Sequence, residues 1–277
     1  MIDYAQYTTK FAADGTALRH PERPDPRYSL LDAIKNFQLL MKDKEDTSLV
    51  FKIYESLPSK DFMPRVEALT LSDHGEHLRA SEPNLPDILD DHAALRQTPQ
   101  GSLAHAYCDF MESEGLSAAG LVAEADKLGR RKYDDLVEWF SDRSRDTHDL
   151  FHVLTGYGRD ALGEQCVLLF THGQSPTHGH LLIGYAGAAN IKMQAKGSKA
   201  PVMGAVQQAK RTGRGAPSMI AQSIRDLLPL PIEEVRAKLN IPEPTKYREC
   251  HRIWREEGID PYDLLASKRT EGEPVAA

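Results

Sequence analysis

The chain has 277 residues, 40% of them hydrophobic and 27% charged, and a net charge of −7. That composition excludes a disordered polymer, and the length suits one large domain or two small ones. Its three cysteines, Cys108, Cys166 and Cys250, lie far apart with no CxxC, which excludes a zinc ribbon, offers no disulfide framework and fits a reducing compartment.

Residues 1–28 are polar with scattered prolines and read as an irregular lead-in, with no basic and apolar regions of a secretory signal. Ser29 then predicts an N-cap for a helix over 30–41, where Leu30, Leu31, Ile34, Phe37 and Met41 recur at three- and four-residue spacing. Thr47 and Ser48 open a second helix through Val50, Phe51, Ile53, Tyr54 and Leu57, which Pro58 stops. A short helix follows over 61–69, and His74 and His77 read as surface residues of a polar connection. Residues 81–100 are acidic and broken by prolines, a long connection with one short helix. Ser102 starts LAHAYCDFMESEG, which Gly115 ends, and Ser117 caps AAGLVAEADKLG. Helix continues over 134–149 with Leu136, Trp139 and Phe140 on one side. Strand alternation, hairpin turns and internal repeats are missing, so the expected fold is all-α, a single helical domain with a helix–break–helix motif.

That motif is HDLFHVLTGYGRDALGE at 148–164. Residues four apart share a helix face, so His148 and His152 can offer two imidazoles to one cation. Asp149 can bind directly, act through water or orient a histidine. On a straight helix Glu164 would stand about 18 Å beyond His152. It joins the others only if the chain turns back, and Gly156 and Gly158 stand where such a break is needed. Asp160 then caps a second helix. The mixed nitrogen and oxygen set suits zinc, iron(II), manganese or, less readily, magnesium. Plain protease chemistry is disfavoured, because Asp149 stands where zinc proteases carry glutamate. The residues alone leave a second reading open, a polar helix pair without a metal.

THGQSPTHGH, with His172, His178 and His180, reads as an exposed loop rather than a second metal site, and Cys166 as a core residue. There is no phosphate loop, nucleophile elbow or dinucleotide fingerprint. Residues 165–191 carry no charge and read as two core helices, or as a wall for an apolar ligand built on Leu168, Leu169, Leu181, Leu182 and Ile183. LLIGYAGAANI is too short to span a bilayer, which takes about 20 apolar residues. Residues 165–225 are +7 in a chain of −7, which leaves −14 to the remainder. General nucleic-acid binding is therefore not expected, and the basic stretch reads either as a solvated face with no ligand or as a face for anionic lipid or a phosphorylated ligand.

HDxxH followed by eleven residues and Glu resembles the signature of the Coq-four family of ubiquinone (coenzyme Q) biosynthesis proteins. GSLAHAYCDFMESEGLS at 101–117 and IRDLLPLPIEEVRAKLNIPEP at 224–244 are similar to other family segments, and the likeness covers about residues 30–245. It implies a helical ubiquinone-biosynthesis-like domain over 29–245 and a C-terminal extension over 246–277, a candidate partner or dimer surface. It implies metal ligands His148, Asp149, His152 and Glu164, with zinc or iron(II) as the divalent ion. The implied activity is decarboxylation of the polyprenylated hydroxybenzoate ring at C1, a lyase reaction coupled or not to oxygen-dependent hydroxylation. The alternative is a non-catalytic scaffold that binds the polyprenyl lipid and gathers other ubiquinone-biosynthesis enzymes at an anionic membrane surface. A third reading, from the basic residues, is a hydrolase of a phosphorylated lipid. The expected location is bacterial-type cytoplasmic, peripheral to the inner membrane.

Overall fold

The computed structural model describes residues 3–42 and 47–264. The lead-in is irregular, with one 3-10 turn at Ala5–Tyr7, but it is fastened to the body. Leu18 is fully buried, and Tyr4, Tyr7 and Ala12 share a small core with Leu136, Val137 and Phe140. Arg23 donates from Nε and Nη2 to both carboxylate oxygens of the buried Asp135, at 2.7 and 2.6 Å. Such a two-point pair fixes direction as well as distance.

Helix α1 (Leu30–Leu40) starts where the Ser29 hydroxyl accepts the Asp32 amide, a cap of about 1 kcal/mol. Helices α2 (Thr47–Ser56) and α3 (Phe62–Thr70) follow the spacing read from the sequence. The polar connection beyond them is a helix, α4 (Asp73–Ser81). Its Ser72 cap holds the Gly75 amide; His74 and His77 are exposed, as read from the sequence, and His74 Nε2 donates to the Ala221 carbonyl at 2.6 Å. The connection over 81–100 holds two short helices, α5 (Leu85–Leu89) and α6 (His92–Leu95), not one. Pro86 is tolerated in the first turn, where an amide has no partner anyway, and Asp91 caps the second helix.

Helix α7 (Leu103–Glu114) ends on Gly115, and α8 (Ala118–Asp126) begins on Ser117. The helix expected over 134–149 is two: α9 (Leu136–Asp146) and α10 (His148–Thr155). Thr147 joins them. Its hydroxyl donates back to the Arg143 carbonyl at 3.0 Å, a bond that competes with regular helix and bends it.

The chain continues through α11 (Ala161–Gln174), α12 (His178–Gln194), α13 (Val202–Gly215), α14 (Ile224–Leu227), α15 (Ile232–Lys238) and α16 (Thr245–Glu257). The expected exposed loop over 172–180 is therefore corrected. Only residues 175–177 leave the helix, because Pro176 cannot continue it and the Thr177 hydroxyl caps the next one on the His180 amide.

Helix α11 lies at the centre, against α10, α12 and α13, with Cys166, Val167, Leu169 and Phe170 fully buried. Its crossing with α13 is close. A Cβ on Gly213 would lie 2.1 Å from the Phe170 carbonyl oxygen, and one on Gly173 2.4 Å from that of Lys210. The extension past residue 245 opens with α16, which seats Tyr247, Cys250 and Trp254 in the same core; residues 265–277 lie outside the described residues. The pair α1–α2 packs on α12 through Ala33, Ile53, Leu57 and Ile183. It leaves Leu30, Ile34 and Leu39 exposed, and Leu31 81% exposed. The molecule is an all-α single domain, with no strand among the described residues beyond two isolated bridges.

Candidate metal centre

Helix α10 places His148 and His152 one turn apart on one face, with ring centroids 5.1 Å apart. Gly156 then ends the helix at φ 71°, a left-handed angle that most residues resist. Asp160 restarts it, its Oδ1 accepting the amides of Leu162 and Gly163. Glu164 stands on the first turn of α11 and returns to the histidines.

Its Oε2 lies 3.6 Å from His152 Nε2 and 3.8 Å from His148 Nε2, and the two Nε2 atoms are 3.3 Å apart. Donors about 2.1 Å from a tetrahedral ion stand roughly 3.4 Å from each other, so these edges match the span one ion needs. The tautomer also fits. His152 Nδ1 donates to the Tyr157 carbonyl at 3.0 Å, which leaves Nε2 with its lone pair towards the other donors. Phe110 stacks on the His152 ring at 5.5 Å and 18°, holding its plane. The residues present thus fit a divalent ion.

Burial alone would discourage charge on both His152 and Glu164. The two imidazoles outweigh it and hold the Glu164 carboxyl well below the usual range. The Glu164 charge, the Tyr157 carbonyl and Asp149 in turn raise His152. Glu164 is therefore an anion, as a cation site requires of it, and a cation there would compete with a proton for His152 Nε2.

Asp149 does not join this group. The three donor atoms that lie within 4.8 Å of one another belong to His148, His152 and Glu164. Asp149 is half-buried and acts on His152 through its field. A second cluster, His92, Cys108 and Glu112, meets the same distance, but Arg96 already donates to Glu112 at 2.7 Å and to Asp109 at 2.6 Å. A fixed guanidinium there opposes a second cation.

Sequence reasoning passed over three nearby residues. Arg159 in the break sets Nε 3.6 Å from Glu164 Oε1 and is 37% exposed, a cation at the mouth of the site. Its signal was a lone basic residue inside the motif. Tyr54, a residue of the second helix, and His180, expected in a loop, have rings 4.4 Å apart. Tyr54 interacts electrostatically with Glu164, and His180 with His148. Of the apolar candidates, Leu169 and Ile183 are buried in two different cores, and Leu168, Leu181 and Leu182 are partly buried at their edges.

The chain matches the family model described as coenzyme Q (ubiquinone) biosynthesis protein Coq4 over residues 45–245. A ubiquinone biosynthesis protein named mitochondrial in Penicillium rubens is 24% identical over 214 residues, covering 76% of this chain and 71% of that one. Another from Bos taurus, also named mitochondrial, is 22% identical over 232 residues, covering 83% and 85%. A crystal structure titled as a ubiquinone biosynthesis protein from Nostoc punctiforme superposes with a TM-score of 0.57 at 19% identity, over 78% of this chain and all of that one.

The mitochondrial names overturn the expected bacterial-type cytoplasmic location. That expectation rested on missing apolar segments, which bear on membrane spanning and not on compartment. No described helix is long and apolar enough to cross a membrane.

Proposed function

The chain belongs to the Coq4 family of coenzyme Q (ubiquinone) biosynthesis proteins and takes part in ubiquinone biosynthesis, and from that premise we propose that it is a metal-dependent decarboxylase of the polyprenylated hydroxybenzoate ring. One observation carries this reading: two imidazoles and an anionic carboxylate converge beside the half-exposed cation of Arg159.

In this reading His148, His152 and Glu164 hold the ion, and Asp149 joins the set through a bridging water. A bound zinc or iron(II) supplies Lewis-acid stabilisation of charge on the substrate oxygens, and iron also supplies redox capacity. Arg159 orients the ring carboxylate. The bond from C1 to the carboxylate breaks, carbon dioxide leaves, its bonding electrons stay on the ring, and a proton takes the vacated position. In an oxygen-coupled form, dioxygen, two electrons from a reductant and three protons put a hydroxyl there instead and release water. The prenyl tail is assigned to the partly buried Leu168, Leu181 and Leu182 of α11 and α12, with Leu169 and Ile183 behind them in the two cores, on account of the nearness of Leu168 to Glu164 along α11.

The test is carbon dioxide release from a prenylated 4-hydroxybenzoate by wild type and His152→Ala. Loss of turnover by more than 100-fold with the helical content intact is expected. Retained turnover sinks the reading.

The exposed apolar face of α1 favours a second reading, a scaffold that gathers pathway enzymes at an anionic membrane. Wild type that captures those enzymes but releases no carbon dioxide would establish it instead.

A further inference from the structure

The last turn of α10 is held from outside the helix. A helix leaves its last four carbonyls without regular amide partners. In α10 the Gly156 amide reaches the His152 carbonyl at 2.9 Å. The Gly158 amide, which a continued helix would give to Leu154, goes to the Tyr247 hydroxyl instead. One side chain, Arg236 of α15, takes the carbonyls of Val153 and Leu154. Its Nη2 donates to Val153 at 3.0 Å and its Nε to Leu154 at 2.9 Å. A planar guanidinium thus spans two successive carbonyls, and its charge stands at the negative end of the helix dipole.

Arg236 is itself firmly based. Its Nη1 donates to Glu233 Oε1 at 2.5 Å, and the side chain is 20% exposed. The segment that leads into α15 is fastened to the start of α7. There the Leu103 and Ala104 amides donate to the carbonyls of Leu230 and Leu228 at 2.8 and 2.9 Å, and the Ile232 amide to that of Gly101 at 3.1 Å. Helix α7 carries Phe110, which stacks on the His152 ring. The other support of that ring is the Tyr157 carbonyl, which accepts from Nδ1 across the break. Arg236 lies over this break: a Cβ on Gly156 would stand 4.0 Å from its Nη2 and 3.5 Å from Pro244 Cγ. Residues 228–236 are therefore tied to both elements that hold the ring, α7 and the end of α10.

Helix ends open more readily than cores, and a bond to a ring's second nitrogen fixes its tautomer and direction. If the last turn of α10 frays, the Tyr157 carbonyl leaves His152. We propose that Arg236 is a positioning residue of the metal centre. By clamping the end of α10 it keeps the Tyr157 carbonyl on His152 Nδ1, and so keeps Nε2 towards His148 and Glu164. The assignment rests on the metal reading of that site. The bonds of Arg236 go to two backbone carbonyls and to Glu233, so its effect on the donors passes through the backbone.

The experiment measures zinc affinity by competition with a chelator, and hydrogen exchange of the Gly156 amide without zinc. The proteins are wild type, Arg236→Gln, Arg236→Lys and Val66→Ala. Val66 is buried in the separate core of α3 and α9, so its truncation lowers the melting temperature and leaves the clamp in place. Arg236→Gln is expected to weaken zinc binding by about tenfold or more, the scale for outer partners of a metal ligand. Its Gly156 amide should exchange several-fold faster, while exchange at the buried Val167 follows global stability. Arg236→Lys recovers part of both effects, since an ammonium still donates to one carbonyl. Val66→Ala melts lower and binds zinc like wild type. Arg236→Gln that binds zinc like wild type overturns the proposal. So does an equal loss of affinity in Val66→Ala, which would reduce Arg236 to general stability. Gly156 exchange unchanged in Arg236→Gln removes the clamp itself. Wild type that binds no zinc, with Gly156 exchange still faster in Arg236→Gln, defeats the metal reading while the clamp on α10 stands.

Discussion

His152 Nε2 and Glu164 Oε2 stand 3.6 Å apart, although a straight helix would separate the two residues by about 18 Å. The break at Gly156–Asp160 does this, and its outcome is a preassembled donor set. Purified wild type is accordingly expected to hold about one divalent ion per chain after gentle dialysis. His152→Ala and Glu164→Ala each weaken binding by about 100-fold or more, because either leaves two donors, and Glu164→Ala also removes the anionic one. Mass spectrometry of the dialysed proteins decides it. Metal retained in both variants would place the ion elsewhere.

How the break is packed leads to a stability test. A Cβ on Gly163 would lie 1.8 Å from the Gly158 carbonyl oxygen, and that oxygen is backbone, which cannot swing aside. Gly163→Ala is expected to cost about 3 kcal/mol in urea unfolding and to lower metal affinity with it, since Glu164 is the next residue. Gly204→Ala in α13, where a Cβ comes no nearer than 3.6 Å to its neighbours, controls for helix propensity. A Gly163→Ala protein as stable as wild type would show that the turn relaxes.

These cases show which parts of the structure local sequence carries. Caps such as Ser29, Ser102 and Ser117 work through bonds to amides three residues on, so they are readable in the chain. The helix–break–helix turn was readable for the same reason. His180 and Tyr54 were not. They are 126 residues apart, and only the packing of α2 on α12 brings the rings to 4.4 Å. The partner of the exposed His74, the Ala221 carbonyl, is equally remote in the chain.

Asp160 carries a pH-dependent clamp on α16. Its Oδ2 accepts the Tyr247 hydroxyl and lies 3.3 Å from His251 Nε2, while the Gly158 amide donates to the same Tyr247 oxygen at 2.9 Å. Burial opposes the Asp160 charge, and His251 and Tyr247 outweigh it, so its pKa is lowered. A lowered carboxyl stabilises the fold above the unfolded value of about 3.9, and that stability is lost as pH falls through the folded value. Tyr247→Phe is expected to cost about 2 kcal/mol near neutrality, the penalty of an unsatisfied buried anion. The gap to wild type should stay level above about pH 4 and narrow below it. A gap that is the same at every pH would assign the loss to packing alone.

The surface of α1 separates apolar from ionic attachment to membranes. Leu30, Leu31, Ile34 and Leu39 are exposed on it, while Lys192, Lys196, Lys199, Arg211, Arg214 and Arg225 are exposed elsewhere in the chain. Contacts of the second kind are screened over about 8–10 Å at physiological ionic strength, and contacts of the first are not. Flotation with anionic liposomes is therefore expected to fall several-fold as salt rises and to persist at a salt-resistant level. Burying one leucine contributes about 2 kcal/mol, so Leu31→Asp should lower that residual binding by about 30-fold, also on uncharged liposomes. If Leu31→Asp floats like wild type at high salt, α1 does not meet the lipid, and its apolar face is left to a protein partner.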